Sequence, residues 1–219
     1  MRISLFFLTA LLGFTGCSSV YYDAMEKVGV PKREILVDRV GEAREAQQEA
    51  KEQFTDALTQ FLAVTKVPPS ELQATYEKLN TEFKHSETRA KEVRRRIDAI
   101  DSVAQALFSE WSNELGQYKS PALRSQSERQ LTATRNRYAA LMRVMDQAAA
   151  GMDPVLDAFR DQVLFLKHNL NAQAIASLSG TSRELQQDIS RLVADMEKSI
   201  READAFIASM QAIPPPPAN

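Results

Sequence analysis

The feature that most constrains this chain is an apolar repeat that steps alternately by four and three residues through one long stretch. Leu72, Tyr76, Leu79, Phe83, Ser86, Ala90, Val93, Ile97, Ile100, Ala104, Leu107, Trp111 and Tyr118 carry it. That spacing lines side chains along one stripe of an α-helix, the seam of a coiled coil. At 1.5 Å rise per residue the helix is about 70 Å long. A stripe of that length has to be covered by other long helices, so an extended hairpin of helices is expected.

The same rhythm recurs on both sides. From Pro31 to about Lys66 it uses Leu36, Val40, Ala43, Gln47, Ala50, Phe54, Ala57, Phe61 and Val64. Val67-Pro68-Pro69 stops that helix, because proline lacks the amide donor and restricts the residue before it. Ser70 is the expected N-cap of the next helix. After Gly116 to Ser120, Ser120-Pro121 reads as an N-cap with proline at the first helical position. The third run uses Leu131, Thr134, Tyr138, Leu141, Met145, Ala148 and Met152. Gly151-Met152-Asp153-Pro154 interrupts it with an expected kink or short break, and Val155, Phe159, Leu166 and Leu170 resume in phase. Ser179-Gly180 is expected to end that segment, glycine being suited to a left-handed C-cap. Thr181 then opens the last helix with Glu184 at capping-box spacing, and Leu185, Ile189, Leu192, Met196, Ala203, Phe206 and Met210 form its seam. With 7 glycines and no β-branched runs between glycine-rich turns, nothing supports a sheet. The expectation is all-α: an elongated antiparallel bundle of coiled-coil hairpins with four main helices over residues 31–213, and a proline-rich tail at 214–219.

The N-terminus reads as an address. Met1-Arg2 is a short positive region, and Ile3 to Phe14 is apolar but shorter than the roughly 20 residues of a membrane-spanning helix. Phe14-Thr15-Gly16-Cys17 follows. This resembles the lipobox of bacterial lipoproteins, in which small residues precede a cysteine that is acylated and becomes the mature N-terminus. Residues 1–16 are then the signal peptide, Cys17 the lipidation site, and 17–30 the acylated N-terminus and linker. Phe14 stands where an aliphatic residue is usual. The lone cysteine excludes an intramolecular disulfide framework or a multi-cysteine zinc site. Ser18, in place of the aspartate that retains enteric lipoproteins at the inner membrane, implies by the same resemblance the periplasmic face of the outer membrane.

No catalytic constellation emerges. Glu82 and His85 have the E-x-x-H spacing of di-iron bundles, which need the motif twice with two further glutamates. The only other histidine is His168, and Phe165 stands where its glutamate would be, so no metal and no cofactor is expected. There is no G-x-S-x-G elbow and no glycine-rich phosphate loop. A formal net charge of −2 gives no electrostatic case for nucleic acid. Lys84, Arg89, Lys91, Arg94, Arg95 and Arg96 form a local basic cluster, a candidate contact for anionic headgroups or an acidic partner. The interspersed Glu87, Glu92 and Asp98 favour instead the solvated flank of a coiled coil, with opposite charges pairing at helical spacing.

Lipobox and long helices together resemble an uncharacterised proteobacterial family of short coiled-coil lipoproteins that carries only a domain-of-unknown-function label. That resemblance is one of layout and implies no catalytic residues. The expected function is a non-enzymatic periplasmic scaffold or adaptor, held to the membrane by its N-terminal lipid, binding an envelope protein and open to self-association. The alternative is a helical-bundle carrier of a lipid or other hydrophobic ligand.

Overall fold

The computed structural model describes residues 21, 22, 24, 25, 29–64, 66–169 and 171–212. Four α-helices account for most of them: α1 (Lys32–Val64), α2 (Leu72–Glu114), α3 (Pro121–His168) and α4 (Ala172–Gln211). Single 3-10 turns, Pro69–Glu71 and Leu115–Gln117, flank α2, and no strand occurs among the described residues. Each helix packs against two others, α1 on α2, α2 on α3, α3 on α4 and α4 on α1, which closes a four-helix ring. Its direction alternates: along α1, Glu42, Glu49 and Gln53 meet Arg96, Arg89 and Glu82 of α2 in reverse order. This is the up-down-up-down arrangement that short connections allow.

The seams form the core as the spacing predicts. All nine α1 seam residues are buried, as are Leu79, Ala90, Val93, Ile97, Ile100 and Ala104 of α2. Leu131, Leu141, Met145, Met152, Phe159 and Leu166 of α3 and all seven predicted seam residues of α4 join them. Phe61 and Phe159 meet edge to face across the bundle, ring centroids 6.1 Å apart, a favoured aromatic geometry. Tyr118 departs from the expectation and is exposed, because it lies past the end of α2.

The turns hold two corrections. Ser70 is not the N-cap of α2: it sits inside the 3-10 turn, Glu71 occupies the cap position, and the Glu71 amide donates to the Pro68 carbonyl at 3.0 Å. Ser120 does cap α3, its Oγ accepting from the Leu123 amide at 3.4 Å ahead of Pro121. The third reversal is at Asn169–Asn171, not at Ser179-Gly180, and α4 runs unbroken through Gly180. Asn169 leaves helical geometry, its side-chain amide donates to the Phe165 carbonyl at 2.9 Å, and its own carbonyl accepts from the Asn171 amide. Asparagine's side chain replaces lost backbone partners in this way, while a helix-interior glycine costs only about 1 kcal/mol, which the α4 seam offsets. Of the kink or short break expected at Pro154, the break does not occur: α3 is continuous through it. Gly151 one turn earlier lets α4 approach: a Cβ there would stand 3.3 Å from Leu192 Cδ1.

Ahead of α1, Tyr22 is buried against the bundle and donates its hydroxyl to Ser102 Oγ of α2 at 3.0 Å. Gly29, at φ +89°, makes the turn into Pro31, a left-handed conformation that glycine adopts without steric cost.

Candidate functional site

The basic cluster lies along α2, on the flanks of the seam positions Ala90, Val93 and Ile97. Arg89 reaches α1 and pairs with Glu49 at 2.5 Å. Arg96 also reaches α1, bonding Glu42, and pairs with Glu92 of its own helix at 2.7 Å. Arg94 turns the other way to Asp153 of α3, 2.5 Å distant. Arg95 grips both oxygens of Glu92, at 2.6 and 2.9 Å. Each arginine of the cluster is therefore paired, and three of the four link α2 to a neighbouring helix, as residues flanking coiled-coil seams do. Lys84 and Lys91 are exposed and make no ion pair among the described residues. The hydrogen bonds from Arg95 and Arg96 pull the Glu92 carboxyl down to about 2. At Glu42 desolvation pushes upward, but Arg39 and Arg96 outweigh it and hold the carboxyl below its ordinary range.

Glu82 and His85 do not form a metal half-site with other donors. Glu82 accepts from Gln53 of α1 at 2.6 Å, and His85 Nδ1 stands 4.0 Å from it. Among the described residues no group of three or more His, Cys, Asp or Glu gathers to hold a metal ion. His168 is exposed at the far end of α3. Cys17 lies outside the described residues.

A polar layer inside the bundle was only partly legible. Gln47 is fully buried on α1, and among the described residues neither its amide nitrogen nor its amide oxygen has a partner; Ser199 Oγ on α4 and Thr134 Oγ1 on α3 share that condition. The pairs Arg44–Asp204 and Lys51–Glu197 bracket Gln47 and Ser199, so the two stand at one level of the α1–α4 seam. The seven-residue gap between Met196 and Ala203 was the available signal for Ser199, which fills the vacant seam position. On α2 and α3, Tyr138 donates to Asp101 at 2.7 Å, and its hydroxyl is pushed well above the ordinary range by burial first and then by that carboxylate.

Two depressions on the outer surface, about 510 and 300 Å³, are each lined by a single helix: residues from Arg183 to Arg191 of α4, and from Gln126 to Arg137 of α3. A ligand pocket is concave and buries most of its guest, which one helix face cannot do. Among the described residues no helix is long and apolar enough to cross a membrane.

The family described as a protein of unknown function, DUF2959, matches residues 21–210, all four helices from Tyr21 to Met210. The chain belongs to the DUF2959 family. No curated protein and no solved structure matches it. The DUF2959 match begins after Cys17 and ends before the proline-rich tail, so the family region coincides with the bundle and the short segment docked on α2.

Proposed function

We propose that this DUF2959 chain is a lipid-anchored protein of a bacterial envelope whose bundle serves as a non-enzymatic scaffold or adaptor. The observation that carries the anchor is Phe14-Thr15-Gly16-Cys17 placed behind a short apolar stretch, five residues ahead of Tyr22, which docks on α2. Ser18, standing where enteric lipoproteins kept at the inner membrane carry aspartate, supports the periplasmic face of the outer membrane. The scaffold reading is supported by the interior. Phe54, Phe61, Phe159, Leu141, Met145 and Met152 are fully buried, and such packing leaves binding to the outer helix faces rather than to a guest inside the bundle. Long, mutually braced helices present extended, stiff surfaces, as adaptor proteins do.

The test is Cys17→Ser. The substitution should abolish fatty-acid labelling and leave precursor that no longer fractionates with the outer membrane. Continued labelling and unchanged fractionation would overturn the anchor. Crosslinking in intact cells followed by pull-down should recover an envelope protein with the wild-type chain. Recovery of a stoichiometric lipid from the purified protein, with no protein partner, would replace the scaffold by a carrier.

A further inference from the structure

The two ends of the bundle are not equivalent, and the tether at Tyr22 tells them apart. Ser102, which holds the Tyr22 hydroxyl, lies on α2 about 12 residues from Glu114 and about 30 from Leu72. Along the axis these are about 18 Å and about 45 Å. Four residues lie between Cys17 and Tyr22, five steps that span at most about 18 Å when fully extended. An acyl chain on Cys17 can therefore enter a bilayer only where the membrane surface comes within about that distance of Tyr22. The end bearing the α1–α2 and α3–α4 turns is out of reach. The end bearing the α2–α3 turn, whose tip at Tyr118 is about 24 Å from Ser102, comes within reach once that tip enters the headgroup layer by about 6 Å.

That nearer end also projects. Lys32 at the start of α1 pairs with Glu110 at 2.9 Å, so α2 and α3 continue past Glu110 as a two-helix hairpin. Trp111 donates to Ser127 Oγ at 2.8 Å, and Arg135 donates to Ser112 Oγ at 2.7 Å and to the Phe108 carbonyl, which brace the hairpin across its width. At its tip Tyr118 is 42% and Leu123 55% exposed. Over residues 111–130 the charges are Lys119, Arg124 and Arg129 against Glu114 and Glu128. Glu128 pairs with Arg124 at 3.1 Å and Arg129 donates to Ser125, while Lys119 has no partner among the described residues. Exposed Leu164 and Phe165 near the opposite end show that apolar exposure alone does not choose between the ends; the tether does.

We propose that the α2–α3 hairpin tip rests in the headgroup layer of a phospholipid bilayer, with the bundle standing away from the membrane. The inference rests on Cys17 being the acylation site. Tyrosine favours the membrane–water boundary, long cationic side chains keep their charge in the headgroups while their stems cover apolar surface, and a cationic excess is drawn to anionic lipid.

The test uses the full-length acylated protein, in which lipid occupies the native cysteine and an introduced one is the sole free thiol. Ala122→Cys beside the tip and Lys66→Cys at the opposite end each carry an environment-sensitive fluorophore. The proteins are placed in vesicles of phosphatidylethanolamine and phosphatidylglycerol containing a headgroup-labelled quencher lipid. The label at 122 should shift to the blue and lose most of its emission, and the label at 66 should do neither. Quenching at 66 alone, at both positions alike, or at neither overturns the proposal. The intact mass separates the two claims: without acyl chains on Cys17 the anchor reading fails and this inference with it, whereas an acylated protein with an unquenched label at 122 removes this inference alone.

Discussion

Gln47→Leu should make the protein more stable, although glutamine sits in the middle of a buried seam. The native side chain is fully buried between Ala43 and Ala50, with neither amide nitrogen nor amide oxygen bonded among the described residues. A buried polar group left without a partner costs about 1–3 kcal/mol by mutational measurement. Leucine has a similar volume and fills the same position of the apolar stripe, so little packing is lost in exchange. The expected gain is about 1–3 kcal/mol, and 1 kcal/mol moves the midpoint of a domain of this size by about 2–4 °C. Thermal melts followed by circular dichroism, with urea titrations to check the slope, measure it. A lowered midpoint for Gln47→Leu would refute the reasoning, because it would mean that the amide is satisfied in the folded protein. An unchanged midpoint with an altered denaturant slope would place the effect in the unfolded chain. A polar residue in a seam can also specify register, so the more stable variant should be checked by sedimentation for a changed association state.

Two further outcomes follow from the same structure. Ile97 is buried at a seam position, whereas Arg95 two residues away is exposed and bonded to Glu92 of its own helix; Ile97→Ala should cost about 2–5 kcal/mol and Arg95→Ala within about 0.5 kcal/mol, compared by urea titration, and equal effects would remove the seam assignment. Asp146 has its carboxyl pushed up by partial desolvation and by the negative charges of Asp101 and Asp98. Its protonated form thus suits the folded state, and the ionised form costs stability once pH rises past the raised value. Asp146→Asn should raise the thermal midpoint at neutral pH and lose that advantage below the ordinary aspartate range; a variant less stable at neutral pH would contradict this.

The helices were legible because the seam is a repeated local signal: one misjudged residue among a dozen leaves the stripe intact. Single turns offer no such redundancy. Ser179-Gly180 and Thr181 with Glu184 carry the composition of a helix boundary, yet α4 passes through them, since burying Leu178 and Leu185 on one continuous stripe outweighs a local preference. The true reversal rests on Asn169 and Asn171, whose side chains could equally have sat on an exposed helix face. The basic cluster was visible as a run of residues, but its partners were not. Glu42, Glu49 and Asp153 lie 40 to 59 positions away from their arginines, and only the packing of α2 between α1 and α3 brings them together. The lipidation reading of Cys17, by contrast, rests on its neighbours in sequence alone, and the residue lies outside the described residues.

The closure of the ring by its first and last helices sets a timetable for synthesis. Arg44 meets Asp204 across a separation of 160 residues, so the face of α1 that α4 covers has no native cover until nearly the whole chain exists. At about 5–20 residues per second, that interval is roughly 8–30 s. During it α1 and α2 can already pair through their neighbouring turn, leaving an incomplete bundle with a groove of exposed leucine, phenylalanine and alanine. A chain lacking its last helix would retain that groove permanently and offer it to other copies.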